Sequence, residues 1–186
     1  MDVDPQQSLN FDMTELRAHF LSGITYTPDF FQLKAMGSID ADASVLVAAP
    51  TGSGKTLIAE YGIARARSQN LRAFYTTPIK ALSNQKYRDL CELYGAQNVG
   101  LVTGDNAVNP EAAVVVMTTE VLRNMIYASS SRLDNLGVVV LDEVHYLQDA
   151  YRGPVWEEVI IQLDPEVQLV CLSATVSNAD EVGEWL

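Results

Sequence analysis

Val45-Leu-Val-Ala-Ala-Pro-Thr-Gly-Ser-Gly-Lys-Thr-Leu-Ile-Ala-Glu60 decides the fold. A short β-branched run turns through two glycines into the amphipathic stretch Leu57-Ile-Ala-Glu-Tyr-Gly-Ile-Ala-Arg-Ala-Arg67, so a strand, a tight loop and a helix follow one another directly. Five further runs follow the first strand: AFYTT, GLVT, AVVVMTT, LGVVVLD and QLVCLSAT, separated by longer amphipathic stretches. That alternation predicts an α/β domain whose mostly parallel sheet is covered by helices on both faces. Each run ends in small or polar residues, and open sheets of this kind gather their ligands at the carboxyl ends of their strands. Upstream, Asp12 is placed to cap a helix through Phe20, and Pro28 with Asp29 to open another towards Ile39, with residues 1–28 as a packed extension of one domain spanning 1–186. The final stretch SNADEVGEWL reads as a capped helix, either ending the domain or cut from a longer chain.

Composition bounds the chemistry. The 186 residues are 48% hydrophobic and 19% charged, as in a soluble globular domain. No stretch approaches the roughly 18 apolar residues of a membrane span, and MDVDPQQSLN lacks a secretory layout, so a cytoplasmic or otherwise intracellular protein is expected. Cys91 and Cys171 read as reduced packing residues, and His19 and His145 do not join them in a zinc set. A net charge of -12 excludes a surface that is basic throughout, so any contact with nucleic acid is local. Of the four lysines, Lys34, Lys55, Lys80 and Lys86, three lie inside motifs, which marks where anions bind.

In Ala49-Pro50-Thr51-Gly52-Ser53-Gly54-Lys55-Thr56 the glycines let main-chain N–H groups turn inward around phosphates, and the helix start adds favourable dipole charge. Lys55 is placed to reach the β and γ phosphates of ATP and Thr56 to ligate magnesium. Val138-Val-Val-Leu-Asp-Glu-Val-His145 delivers adjacent carboxylates at a strand end. Asp142 is the candidate magnesium holder, and Glu143 the group that orients and deprotonates a water. His145, a further catalytic candidate because it completes Asp-Glu-Val-His, is when taken singly more often a hydrogen-bonding residue than a catalyst.

The loop, Asp142-Glu-Val-His145 and Ser173-Ala174-Thr175 together resemble motifs I, II and III of superfamily-two DExH helicases. Tyr151-Arg-Gly-Pro-Val-Trp-Glu-Glu158 is similar to the Ski-type (superkiller) RNA helicases, which include exosome-associated and bacterial HelY-type enzymes. The resemblance implies a RecA-like domain that uses ATP and Mg2+ and acts on single-stranded nucleic acid, RNA in preference to DNA. It implies that Gln32 reads adenine through its paired donor and acceptor. Tyr26 either stacks on that base or is an ordinary core or surface tyrosine. Thr77-Pro78-Ile-Lys80-Ala-Leu-Ser-Asn84-Gln85-Lys86 resembles the backbone-gripping motif Ia, and Thr103-Gly104-Asp105 and Thr118-Thr119-Glu120 match the later strand-contact positions. Thr118 and Thr119 serve equally as helix caps for EVLRNMIY.

In the family, Ser173, Ala174 and Thr175 link the nucleotide site to the strand, partly through the histidine corresponding to His145. Without the family, that segment is a polar strand exit. A complete helicase of this type also needs a second RecA-like domain carrying an arginine worth roughly 10³ to 10⁵ in rate, and none is encoded in these residues. A DNA helicase of the same group, or a nucleotide-binding interaction module that moves no strand, are the competing expectations.

Overall fold

All six β-branched runs form strands, because each alternates two apolar faces and so is stable only between two layers of helices. The computed structural model describes residues 13–145 and 153–174. Its strands are β1 (Val45–Ala48), β2 (Arg72–Thr77), β3 (Val99–Thr103), β4 (Asn106–Val108), β5 (Val114–Thr118), β6 (Leu136–Leu141) and β7 (Gln168–Ser173). They form one sheet in the order β1-β7-β6-β2-β5-β3-β4, parallel throughout except for the β3–β4 hairpin. The helices are α1 (Met13–Ser22), α2 (Phe30–Asp40), α3 (Thr56–Ser68), α4 (Lys80–Tyr94), α5 (Thr119–Tyr127) and α6 (Gly153–Gln162). Among the described residues no helix is long and apolar enough to cross a membrane.

The period of two along each strand sorts the core into two layers. Val138 and Val140 of β6 join Val45, Val47, Tyr75, Val114 and Val116 under α1 to α4. Val139 and Leu141 join Phe74, Val115, Met117 and Cys171 under α5 and α6, where Leu122 and Trp156 fill the space. Burial pushes the Cys171 thiol up to about 12, in keeping with packing and not with metal or redox chemistry.

Local signals set the helix boundaries. Asp29 caps α2 in a box with Gln32, whose Oε1 accepts the Asp29 N–H at 2.8 Å. Helix α1 is held by an edge contact between the Phe20 and Tyr61 rings at 5.2 Å and by the Arg17–Asp40 ion pair at 3.3 Å. The cap assigned to Asp12 and the helix in SNADEVGEWL lie outside the described residues. Strand β4 has no sequence signal, being three residues long and fully exposed. Its room comes from Gly100, where a Cβ would meet the Asn109 carbonyl oxygen at 2.2 Å.

Candidate nucleotide and strand site

Because the strands carrying motifs run parallel, their carboxyl ends lie on one edge of the sheet, and strand order deals the motifs along it. The neighbours β1, β7 and β6 deliver the phosphate-binding loop, Ser173 with Ala174, and Asp142 with Glu143. The neighbours β2, β5 and β3 deliver Pro78 to Lys80, Thr118 to Glu120, and Thr103 to Asp105. The seam between the two groups is the β6–β2 pair, where the Asp142 N–H donates to the Thr76 carbonyl at 3.0 Å.

The loop from Ala49 to Thr56 leaves β1 and opens α3. Gly52 and Gly54 both hold φ of 82°, the left-handed region that glycine enters without steric cost. The Ala49 N–H donates to the Ser173 carbonyl at 3.2 Å, tying the loop to the end of β7. Lys55 Nζ donates to the carbonyl oxygens of Ala49 and Pro50 at 2.5 and 2.8 Å. Of the three motif lysines it is the one with no carboxylate partner among the described residues, since Lys80 pairs with Asp105 and Lys86 with Asp89. Its positive charge is therefore uncompensated where the loop turns. The Ser53 and Ser173 hydroxyl oxygens are buried without a hydrogen-bond partner among the described residues. Buried orphan hydroxyls are costly, and a polar ligand offsets that cost. With the glycines, the ammonium, Thr56 at the start of α3 and a nearby carboxylate, the donor set fits a nucleotide polyphosphate and a hard cation.

Gln32 is buried, and its Nε2 donates to the Gly54 carbonyl at 2.8 Å while Oε1 holds the Asp29 N–H. It joins the cap of α2 to the loop and keeps one donor hydrogen and one acceptor lone pair unspent. Tyr26 is exposed and lies three residues before this cap.

At the end of β6 each Asp142 oxygen has a donor: Oδ2 accepts the Tyr75 hydroxyl at 2.6 Å and Oδ1 the Glu143 N–H at 2.9 Å. Glu143 adopts φ of 59°, a left-handed conformation costly for a residue with a Cβ. Its Oε2 lies 3.1 Å from His145 Nδ1. Burial, the Asp142 charge and this hydrogen bond hold the Tyr75 phenol well above its usual range, so it remains a donor.

On the other half of the edge, Lys80 Nζ meets both Asp105 oxygens, at 2.7 and 2.6 Å, and holds that carboxyl below the usual range with help from the Thr103 hydroxyl. Pro78 is half-buried, and Lys80, Gly104, Asp105 and Glu120 are exposed, as is Gln85, while Asn84 is half-buried. Thr118 occupies the cap position of α5 with no side-chain cap bond, and Thr119 is buried with its hydroxyl donating to the Thr77 carbonyl at 3.3 Å. Lys86 lies differently from Lys80. Its side chain is 16% exposed, and its Nζ lies 5.3 Å from the centre of the Tyr75 ring, because two turns along α4 the helix face has rotated onto the sheet.

Two further residues border these positions: Tyr75, which sequence reasoning passed over, and Trp156, quoted there only as part of the Ski-type segment. Tyr75 reads as one more apolar strand position, yet a phenol in a strand covered on both faces must find a partner, and that requirement was the available signal. Trp156 lines a small crevice with Pro78, Thr119 and Glu120, so α6 supports the strand half from below. Thr175 and the Tyr151-Arg152 start of the Ski-type segment lie outside the described residues.

Residues 29–182 match the DEAD/DEAH box helicase family model. The chain is 53% identical over 176 residues to the probable helicase HelY of Mycobacterium tuberculosis, covering 94% of this chain and 19% of that one. It is 52% identical over 164 residues to the chloroplastic DExH-box ATP-dependent RNA helicase DExH15 of Arabidopsis thaliana, covering 85% of this chain and 14% of that one. Among solved structures it resembles the Mycobacterium smegmatis helicase Lhr bound to ssDNA and AMP-PNP, with a TM-score of 0.71 and 30% identity across 92% of this chain and 26% of that one. The chain thus spans a small part of each relative, and its sheet is the RecA-like layer of such helicases. By the extent of the family match, the chain belongs to the DEAD/DEAH box helicases.

Proposed function

We propose that this chain is the ATP-binding half of an ATP-dependent RNA helicase, which couples ATP hydrolysis to movement along or unwinding of RNA. The observation that carries the reading is the strand order, which sets the loop and acid pair on one half of a sheet edge and the Lys80, Thr103 and Thr119 group on the other. Lys55 leaves the Ala49 and Pro50 carbonyls for the β and γ phosphates, while Thr56 and Asp142 hold magnesium. Magnesium, when bound, supplies positive charge to the phosphate oxygens. Glu143 orients a water and takes its proton. Tyr26 and the unspent hydrogen-bonding capacity of Gln32 face the base. Ser173, Ala174 and Thr175, with His145 beside Glu143, relay between the two halves of the edge.

Pro78, Lys80, Asn84, Gln85, Gly104, Asp105 and the Thr118–Glu120 turn form the face for the nucleic-acid backbone, whose contacts are largely independent of base sequence. The name of DExH15 supports RNA. Lhr, bound to ssDNA in its solved structure, makes DNA the comparison to run. A second RecA-like domain of the parent protein completes the cleft, and without its arginine this chain binds ATP far better than it hydrolyses it.

The test is the ATPase rate of the full-length parent with single-stranded RNA, with single-stranded DNA and with neither. RNA is expected to stimulate the rate more than DNA, and Lys55→Ala or Glu143→Gln to abolish the stimulated rate. Equal stimulation by DNA overturns the RNA assignment, and stimulation by neither overturns strand-coupled ATP hydrolysis.

A further inference from the structure

We infer that Tyr75 is a positioning residue for Asp142 and that Lys86 braces it, so that this lysine serves the acid pair and not a bound strand. The inference rests on the reading of Asp142 as a magnesium holder. A carboxylate can rotate about its Cβ–Cγ bond and present either oxygen in several directions. Here one donor is fixed to each oxygen, the Tyr75 hydroxyl at 2.6 Å and the Glu143 N–H at 2.9 Å, which sets the plane of the group and leaves further lone pairs on both oxygens. Outer donors of this kind orient a metal-binding carboxylate before the metal arrives.

The Tyr75 hydroxyl is itself held. Tyr75 is fully buried in β2, beside β6, and its ring carries the Lys86 ammonium 5.3 Å from its centre. A cation over a ring face is attracted to it, the more so when partly withdrawn from water. Lys86 also faces Asp89 at 3.5 Å and acts on Glu60 of α3, whose carboxyl burial raises and the lysine lowers. Lys86 is thus the cation set among the Asp89 and Glu60 carboxylates and the phenol that holds Asp142. Helix α4 therefore begins with the exposed Lys80 and two turns later turns Lys86 in over the Tyr75 ring. One rigid element thus carries both the exposed Lys80 and the lysine that faces the tyrosine holding Asp142.

The experiment measures binding of a fluorescent ATP analogue to the present chain as magnesium is titrated, with thermal melting of the same samples. Tyr75→Phe removes one hydroxyl and is expected to raise the magnesium half-point about tenfold, the lower end of what losing an outer partner costs, with metal-free binding unchanged. Lys86→Met is expected to shift it in the same direction by a smaller factor. The double variant should go no further than Tyr75→Phe alone, and Lys86→Arg should restore the original half-point. A purely structural role lowers the melting temperature and leaves the magnesium half-point in place.

An unshifted half-point in a Tyr75→Phe chain that melts normally overturns the inference. So does a Lys86→Met chain that keeps its magnesium dependence while losing affinity for a single-stranded oligonucleotide. Should Tyr75→Phe fail to fold, the Lys86 pair carries the test, with the same outcomes. Nucleotide binding equal in the unaltered chain and in Lys55→Ala marks instead the failure of the nucleotide-site reading, and this inference falls with it.

Discussion

Gln32 carries two donor hydrogens and two acceptor lone pairs on its carboxamide, and the fold spends one of each, on the Gly54 carbonyl and the Asp29 N–H. The residue expected to read the base therefore also fixes the loop proposed to grip the phosphates. Gly54 is the other party. Its φ of 82° excludes a side chain at low cost, and a Cβ there would approach Gln32 Nε2 to 2.6 Å. Gly54→Ala is expected to cost about 1 kcal/mol of stability, by denaturant melting. It should also weaken binding of an ATP analogue at least tenfold, by fluorescence titration, because the displaced carboxamide releases both the loop and the cap of α2. Unchanged nucleotide affinity would count against this linkage. At this scale the loop, the acids and Gln32 were legible as residue types in a pattern. The partners of Tyr75 and Lys86 were not, since a hydroxyl or ammonium seeks its partner through space, and the partners here are 67 and 11 positions away.

Among the elements, α6 shows how a helix away from the chemistry governs the strand half. It packs its buried face, Val155, Trp156 and Val159, on the layer containing Phe74, Val115 and Met117, and Trp156 reaches the crevice beneath Pro78 and Thr119. Burying a tryptophan this completely makes truncation expensive. Trp156→Ala is expected to cost roughly 3–5 kcal/mol in urea melting, with oligonucleotide binding weakened beyond what the unfolded fraction explains. A loss under 1 kcal/mol would show that α6 does not support that face. Helices α2 and α3 were legible from caps and glycines, which act within one turn. Strand β4 was not, because three exposed residues have no periodicity and are held only by pairing with β3.

For the whole molecule, a net charge of -12 leaves the carboxylates repelling one another, and the half-buried Glu60 has a shifted carboxyl that adds to the dependence on pH. Burial raises the Glu60 carboxyl above its usual 4.5, with Lys86 opposing the shift. The folded chain then holds this proton more tightly than the unfolded chain, so the group's stabilising contribution is full below the usual value and is lost as pH rises through the folded value. Glu60→Gln is expected to melt higher than the unaltered chain near neutral pH, with the gap narrowing as pH falls towards the usual carboxyl value in a thermal series. A lower melting temperature at every pH would mean that the Glu60–Lys86 attraction outweighs the cost of burial.

The sequence by itself determined the α/β class, the six parallel strands, the phosphate-binding loop and the acid pair, because strand periodicity, glycine turns and helix caps act between residues close along the chain. Only the tertiary structure decided that β7 and β6 lie between β1 and β2, and that the glycine loop and acid pair thereby share one half of the carboxyl edge while Lys80, Thr103 and Thr119 share the other. It also decided that Lys80 faces outward onto Asp105 while Lys86, on the same helix, turns in towards Tyr75. Parallel neighbours are joined by crossovers and not by turns, so no local stretch records which strand lies beside which. The partners that a buried side chain meets follow from that order.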